Sequence, residues 1–568
     1  MLSNLPLLVL PLLPVFALEP VEVAEIKNPK SDNADFGTAL AWSADRLFVG
    51  APYIFDNPEL LSGAANAFEI DTWLLKQPIQ YPDDGLTFLF GSAVVVLEDR
   101  LIVGAPAETV GGKATAGAVY TLNFDGALWN DMAAWKLNAT VPEIGQRFGQ
   151  SLAYDGKQLI VGVPGANTAM NKQSDAGQIL VYEPNVDGWT LKQTLFSMTP
   201  LEGAEMGHSL ALSGDRLVVS APEGVSPMHV VFERDGNLVW AQKAVITPTS
   251  LVSANCAMDA TSMDISTAIG LQGDAILVGS PQNSELASGA VSVLKFENNQ
   301  WRCQQRLDPD SDTAESFGFS IATRDDLLFV GAVGNSDIDI NNGAIYTFER
   351  DVNTDTYTLP PRKTVGKTAG AWLGSVMSSQ GPYLAAQVNA QHMSGEPSVY
   401  IYEIRPSLGE TCDGVLPCAV GVCSDGLCCS EECTGTCFHC TKETEPDPGT
   451  CEFVADAPCS DGDRGCVDGM CQQAPDESST GASGTSETSG GHPTTGADDT
   501  STGPTPTTSA GTDGSDSSET TSASSGGVGF DPDTLFGCTC QGQGDGRDKT
   551  HEVLGVVVVM LTVRRRRR

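Results

Sequence analysis

One stretch limits what this chain can fold into: Phe90 to Pro106, FGSAVVVLEDRLIVGAP. It reads as two strands joined by a tight turn at Leu97-Glu98-Asp99-Arg100. The second strand is apolar at nearly every position and stops at Gly104-Ala105-Pro106. A strand without polar alternation has to be covered on both faces. The proline removes an amide donor and closes the strand. Gly91 and Gly104 permit a backbone approach that a side chain would block.

The pattern recurs. Phe36-Gly37 leads to Gly50-Ala51-Pro52, and Phe148-Gly149 to Gly162-Val163-Pro164. Met206-Gly207 leads to Ser220-Ala221-Pro222, and Phe317-Gly318 to Gly331-Ala332-Val333. Ile265-Ser266 before Gly279-Ser280-Pro281, and Leu373-Gly374 before Gln387-Val388-Asn389, are worn copies. Seven copies return about every 55 residues, each holding four strand-sized segments, which is the signature of propeller blades. The expected fold class is all-β: a seven-bladed β-propeller over 18–405. A small disulfide-rich module (410–472), a disordered stalk (474–536) and a short C-terminal hydrophobic segment (within 537–568) would follow it.

Trp73 to Ile79, Trp189 to Leu195 and Trp301 to Leu307 occupy the fourth-strand place of their blades. The last repeat offers Pro382 to Val388 and Ser398 to Ile404, then reaches Arg405-Pro406 with no fourth strand. Val21 to Ile26 alternates and is expected to supply it, so that the two chain ends share a blade and no edge is left open. The turns joining first to second and third to fourth strands are short, as at Asp155-Gly156-Lys157 and Arg234-Asp235-Gly236-Asn237. The other connections are longer, among them Gly165 to Ala176, Val245 to Asp264, Leu307 to Ser316 and Asn335 to Asn342. They emerge on the opposite face, and long loops on a rigid scaffold are where binding usually resides.

The chain carries 32 basic against 72 acidic residues, a net charge of −40, which disfavours a nucleic-acid partner. Sixteen cysteines indicate an oxidising compartment. Cys412, Cys418, Cys423, Cys428, Cys429, Cys433, Cys437, Cys440, Cys451, Cys459, Cys466 and Cys471 crowd into one segment too poor in apolar residues to build a core. Disulfides are expected there with the pairing open; zinc is the rival, from the Cys433, Cys437, Cys440 spacing. Cys256 and Cys303 are read as a staple holding the longest inter-blade loop to an outer strand.

Met1 to Ala17 is an apolar run ending in small residues and resembles a secretory signal peptide. Ala474 to Phe536 is mostly Ser, Thr, Gly, Asp and Pro, a composition that does not fold and would reach roughly 45 Å. The chain ends in Val553 to Val563 and five arginines. That apolar run makes a helix of roughly 16 Å, about half of a bilayer core. The arginines would hold the terminus on the cytoplasmic side.

The repeats resemble the FG-GAP family, the propeller repeats of integrin α chains and many bacterial surface proteins. The last residues, with Gly537-Cys538 before an apolar segment and arginines, resemble the myxobacterial C-terminal sorting tail. That resemblance implies a surface protein attached through Cys538. Calcium-loaded FG-GAP members carry an acidic loop between first and second strands; here those turns are too short, so calcium is not carried over.

The nearest approach to a metal loop is Asp337, Asp339 and Asn341, whose oxygens alternate as calcium ligands do. Asn stands where the sharp-turn Gly belongs, so no cofactor is expected, calcium being the one left open. The acidic residues Asp83, Asp84, Asp310, Asp312 and Asp337, with Glu315 beside them, are the candidate binding face. None of the six histidines sits in an HExxH spacing and no G-x-S-x-G elbow is present, so no catalytic residue is expected. The expected function is non-catalytic binding or adhesion at the cell surface, toward an extracellular protein or glycan, by a monomeric ectodomain held to the membrane through its tail. An extracellular hydrolase using the loop face, or a passive envelope component, are the alternatives.

Overall fold

The structure is a computed structural model. It describes residues 18–29, 35–52, 63–80, 89–130, 136–167, 174–186, 188–224, 226–251, 256, 267–281, 288–309, 315–388, 396–406, 418–419, 422–424, 427–430, 438–440, 451–453, 466–467 and 470–471. The expected signal peptide, stalk and tail lie outside these residues, as does Cys538. Among the described residues the only helical element is a short 3-10 turn, Pro248–Leu251, and no helix is long and apolar enough to cross a membrane.

Seven antiparallel sheets follow one another along the chain, each ordered first to fourth strand, and they form the blades. The defining stretch folds as read: Ala93–Leu97 pairs with Arg100–Ala105 across a two-residue turn, with Glu98 at φ 53°. The ring closes as expected too. Leu18–Lys27 pairs antiparallel with Ser398–Pro406, from Leu18 opposite Pro406 to Lys27 opposite Ser398. Two fourth strands are broken, into Trp129–Asn130 and Lys136–Leu137 in the second blade and Thr356–Tyr357 and Arg362–Val365 in the sixth. Trp73, expected inside a strand, sits instead in the turn before Leu75–Gln80 with φ 55°.

The Phe-Gly pair has a division of labour. Phe36, Phe90, Phe148 and Phe317 are fully buried. Each sets its ring edge-on to an aromatic in the third strand of its own blade: Phe68, Tyr120, Tyr182 and Tyr346. Truncating such a ring leaves a cavity worth about 3–5 kcal/mol. The glycine does the joining. A Cβ on Gly104 would lie 2.2 Å from the carbonyl oxygen of Gly149 in the next blade, and Gly50 and Gly162 meet Gly91 and Gly207 at the same distance. The two repeat glycines are therefore one contact seen from two blades. In the seventh blade Gln387 replaces the glycine, and its side-chain amide donates to the Phe36 carbonyl of the first blade at 2.9 Å.

Outer strands share a defect of register. Pairing with the third strand slips by one residue at Val23, Lys76, Lys192, Lys243 and Gln304 in five different blades. The strand borrowed from the chain start carries the same bulge in the same place, so it is a fourth strand like the others rather than a patch.

Beyond Pro406 three two-stranded ribbons are described, Val422–Ser424 with Leu427–Cys429, Phe438–Cys440 with Cys451–Phe453, and Cys466–Val467 with Met470–Cys471. Cys418 is bonded to Cys428, and Cys423 and Cys429 are disulfide-bonded as well. Cys440 stands opposite Cys451 and Cys466 opposite Cys471 in strand register. Cys412, Cys433, Cys437 and Cys459 lie outside the described residues.

Candidate functional site

In each blade the long connections descend to the first strand, the one nearest the axis, so the residue just before each Phe-Gly position stands at the inner rim of the long-loop face. That residue repeatedly takes a left-handed backbone. Leu89, Arg147, Glu205, Ser316 and Trp372 have φ of 71°, 56°, 55°, 52° and 51°. Side chains other than glycine avoid this region at a cost of about 1–2 kcal/mol each. Five occurrences at one repeat position are therefore imposed by the fold.

The imposing partner is the preceding blade. The N–H of Arg147 donates to the Thr115 carbonyl at 3.0 Å, that of Glu205 to Asp175 at 2.9 Å, and that of Trp372 to Asn341 at 3.1 Å. Thr115, Asp175 and Asn341 are themselves left-handed, with φ of 51°, 50° and 51°. Each such junction is thus a clasp of two left-handed residues facing each other, and Gly177 with Met206 and Gly343 with Leu373 continue it as parallel bridges. The result is a rigid collar whose backbone repeats and whose side chains do not: an isobutyl group, a guanidinium, a carboxylate, a hydroxyl and an indole.

Two collar members are paired. Arg147 and Glu205 form an ion pair at 2.6 Å. Just beneath lies His208, buried, whose pKa burial lowers to about 4, with the Arg147 charge adding to the effect. Gln150, also buried, has neither end of its amide bonded among the described residues. His229, in the third strand of the fourth blade, is wholly enclosed, and burial brings its pKa to about 3. Both histidines are neutral at ordinary pH.

The residues singled out from sequence meet different fates. Asp337, Asp339 and Asn341 do not converge. Asp337 faces the Lys363 ammonium at 2.7 Å, Asp339 accepts the N–H of Ile340 at 2.8 Å, and Asn341 belongs to a clasp. Among the described residues no group of three or more His, Cys, Asp or Glu side chains is arranged to hold a metal ion. Glu315 is wholly buried. It accepts from the Tyr346 hydroxyl and from Lys363 at 3.3 Å. The second blade repeats the device: Glu108, buried, accepts from the Tyr120 hydroxyl at 2.8 Å and from Lys136. The carboxylates come from different loops, yet each pins a loop to a tyrosine–lysine pair standing at the same place in its blade. Asp83, Asp84, Asp310 and Asp312 lie outside the described residues.

The staple is formed: Cys256 is bonded to Cys303, with Cα atoms 6.0 Å apart. Cys303 lies within the outer strand Gln300–Leu307. The connection expected on the long-loop face is therefore drawn, at Cys256, over the outer edge of the fifth blade.

The FG-GAP repeat family model matches residues 301–348. These run from the outer strand of the fifth blade to the third strand of the sixth, one full repeat unit. Fold and repeat together define a seven-bladed β-propeller that carries a segment matching the FG-GAP repeat. Among solved structures, a protein from Lactobacillus plantarum is 15% identical, with 58% of this chain and 85% of that one covered and a TM-score of 0.39. The WD40 domain of Toxoplasma gondii coronin is 7% identical, with 69% and 87% covered and a TM-score of 0.43. No curated protein matches the chain.

Proposed function

We propose that this is an exported cell-surface protein that binds an extracellular partner, without catalysis, through the long-loop face of its propeller. The observation that carries the reading is the collar. A backbone held rigidly the same while its side chains vary is the arrangement by which a scaffold displays recognition groups. The cysteine count supports an oxidising destination, and the acidic balance argues against nucleic acid. The Ser/Thr/Gly-rich segment and the Cys538 tail suit display at a distance from the envelope, as their resemblance to the myxobacterial sorting tail implies.

The test is to screen the purified chain against arrays of extracellular proteins and glycans, then to repeat each hit with Arg147→Ala. We expect hits that the substitution weakens about tenfold. Hits insensitive to every long-loop-face variant would refute the assignment, and a hit that is cleaved would favour the hydrolase. Cys538→Ser is expected to release the protein to the medium; unchanged retention would remove the anchoring reading.

A further inference from the structure

We propose that Ile338, Ile340 and Trp372 form a docking site for a protein partner whose contacting segment sets apolar side chains among lysines or arginines. The proposal rests on the binding role above and locates it between the sixth and seventh blades. Two loops are laid side by side there. Gly370 N–H donates to the Ile340 carbonyl at 2.8 Å, Trp372 to Asn341 at 3.1 Å and Leu373 to Asn342 at 3.2 Å. The segment Asp337-Ile338-Asp339-Ile340 then sorts its side chains against habit. Asp337 reaches to the recessed Lys363, and Asp339 turns back to cap the Ile340 N–H. The isoleucines are left outward, 63% and 72% exposed, with the half-buried Trp372 beside them.

Large apolar groups fixed in water by backbone hydrogen bonds are poor for solubility and good for docking, because little ordering remains when a partner arrives. An indole flanked by aliphatic groups is the chemistry of an interface centre. Charge selects the occupant. On this face the exposed carboxylates Asp175, Glu202, Asp337 and Asp339 outnumber the exposed cations Lys113 and Lys367, and Lys367 is held by Glu22. Lys363 is only 12% exposed against 44% for the Asp337 it meets. An anionic lipid surface would be repelled by these carboxylates. A basic segment of a protein would be drawn to them before its apolar side chains seat.

The experiment pans a random peptide display library on the purified full chain and compares selected peptides on variants. Ile340→Asp and Trp372→Ala change a solvent-facing group and a half-buried one, and thermal melting confirms that each folds. Val352→Asp, in the turn between third and fourth strands of the sixth blade, is the control. We expect selected peptides rich in Lys or Arg with Leu, Phe or Trp, weakened about tenfold or more by Ile340→Asp and untouched by Val352→Asp. Acidic or purely polar peptides, binding indifferent to both patch variants, or no enrichment at all would overturn the proposal. Peptides weakened instead by Arg147→Ala, or by Met198→Asp in the exposed connection from the third blade to the fourth, would overturn it while leaving the long-loop-face reading standing. Peptides indifferent to every variant on that face would remove both.

Discussion

Round the ring, two ways of joining the blades alternate, and the first junction adds Arg46 lying over Phe124 at 4.7 Å. Where the first, third and fifth blades meet the next, a glutamine of the outer strand clamps the neighbour's backbone. Gln77 holds both the carbonyl and the N–H of Trp129 at 2.8 Å, and Gln193 and Gln305 hold Trp240 and Tyr357 likewise. Where the seventh, second and fourth blades meet the next, the first residue of a second strand packs on a tryptophan. Tyr383 meets Trp73, Arg100 lies over Trp189 and Arg216 over Trp301, with separations of 5.1, 5.5 and 4.9 Å. Seven is odd, so the alternation must fail once. It fails between the sixth and seventh blades, where the outer strand is the one brought from the chain start. There the ion pairs Arg362–Glu19 and Lys367–Glu22 replace both devices. The repeating unit of these contacts is thus a pair of blades, and at the one junction outside that scheme ion pairs stand in their place.

The largest test of this contrast removes the exceptional strand. Deleting Leu18–Lys27 strips the pairing along Ser398–Pro406 and uncovers Ile26's place in the core, and should lower the melting temperature by ~10 °C or more. An unchanged melt would refute ring closure by the chain start. Next, Gln193→Ala leaves two backbone groups of Trp240 unsatisfied and should cost about 2–3 kcal/mol. Arg216→Ala, at a junction of the other kind, should cost only about 1 kcal/mol. Denaturant melts showing equal losses would dissolve the distinction.

Acid probes the fourth blade from inside. His229 alternates with Met228 and Val230 along its strand, so it shares the face of Val231, which packs against Ile276 and Val278 of the fifth blade. His208 and His229 both have folded pKa values below the unfolded one of about 6.5. The unfolded chain therefore binds more protons, and stability is lost as pH falls from about 6.5 toward the folded values. By pH 5 that is about 2 kcal/mol for each histidine. His229→Leu should flatten part of this slope; an unaltered slope would show that His229 is not the titrating group. The smallest effect concerns salt. Lys367→Ala should cost under about 1 kcal/mol and should cost nothing further in about 1 M salt. Hydrogen exchange over 18–27 that is faster in salt would confirm the charge-dependent junction, and exchange indifferent to salt would deny it.

Much of this frame was legible beforehand because it rests on residues with few substitutes. A carbonyl oxygen 2.2 Å from where a Cβ would stand leaves only glycine, so Gly104 and its counterparts advertise themselves. The missing fourth strand, and the pairing of Cys256 with Cys303, were likewise readable from position. The collar was not, since Leu89, Arg147, Glu205, Ser316 and Trp372 share a conformation and no side-chain chemistry. Nor did the Asp337 motif disclose itself: alternating carboxylates look the same in sequence whether they gather round an ion or turn back to a lysine and a backbone amide. The glutamine clamps left a trace in WLLKQPI, WTLKQTL and WRCQQRL, a motif returning in every second blade.

The slipped residue in the outer strands has a bearing on life at high density. A regular, flat strand at the periphery would offer a row of open amides and carbonyls on which a neighbouring copy could zip itself. A kink holding a lysine at Lys76, Lys192 or Lys243 breaks that row and adds a charge that neither copy can hide. Copies crowded shoulder to shoulder are thus denied a regular edge on which to grow.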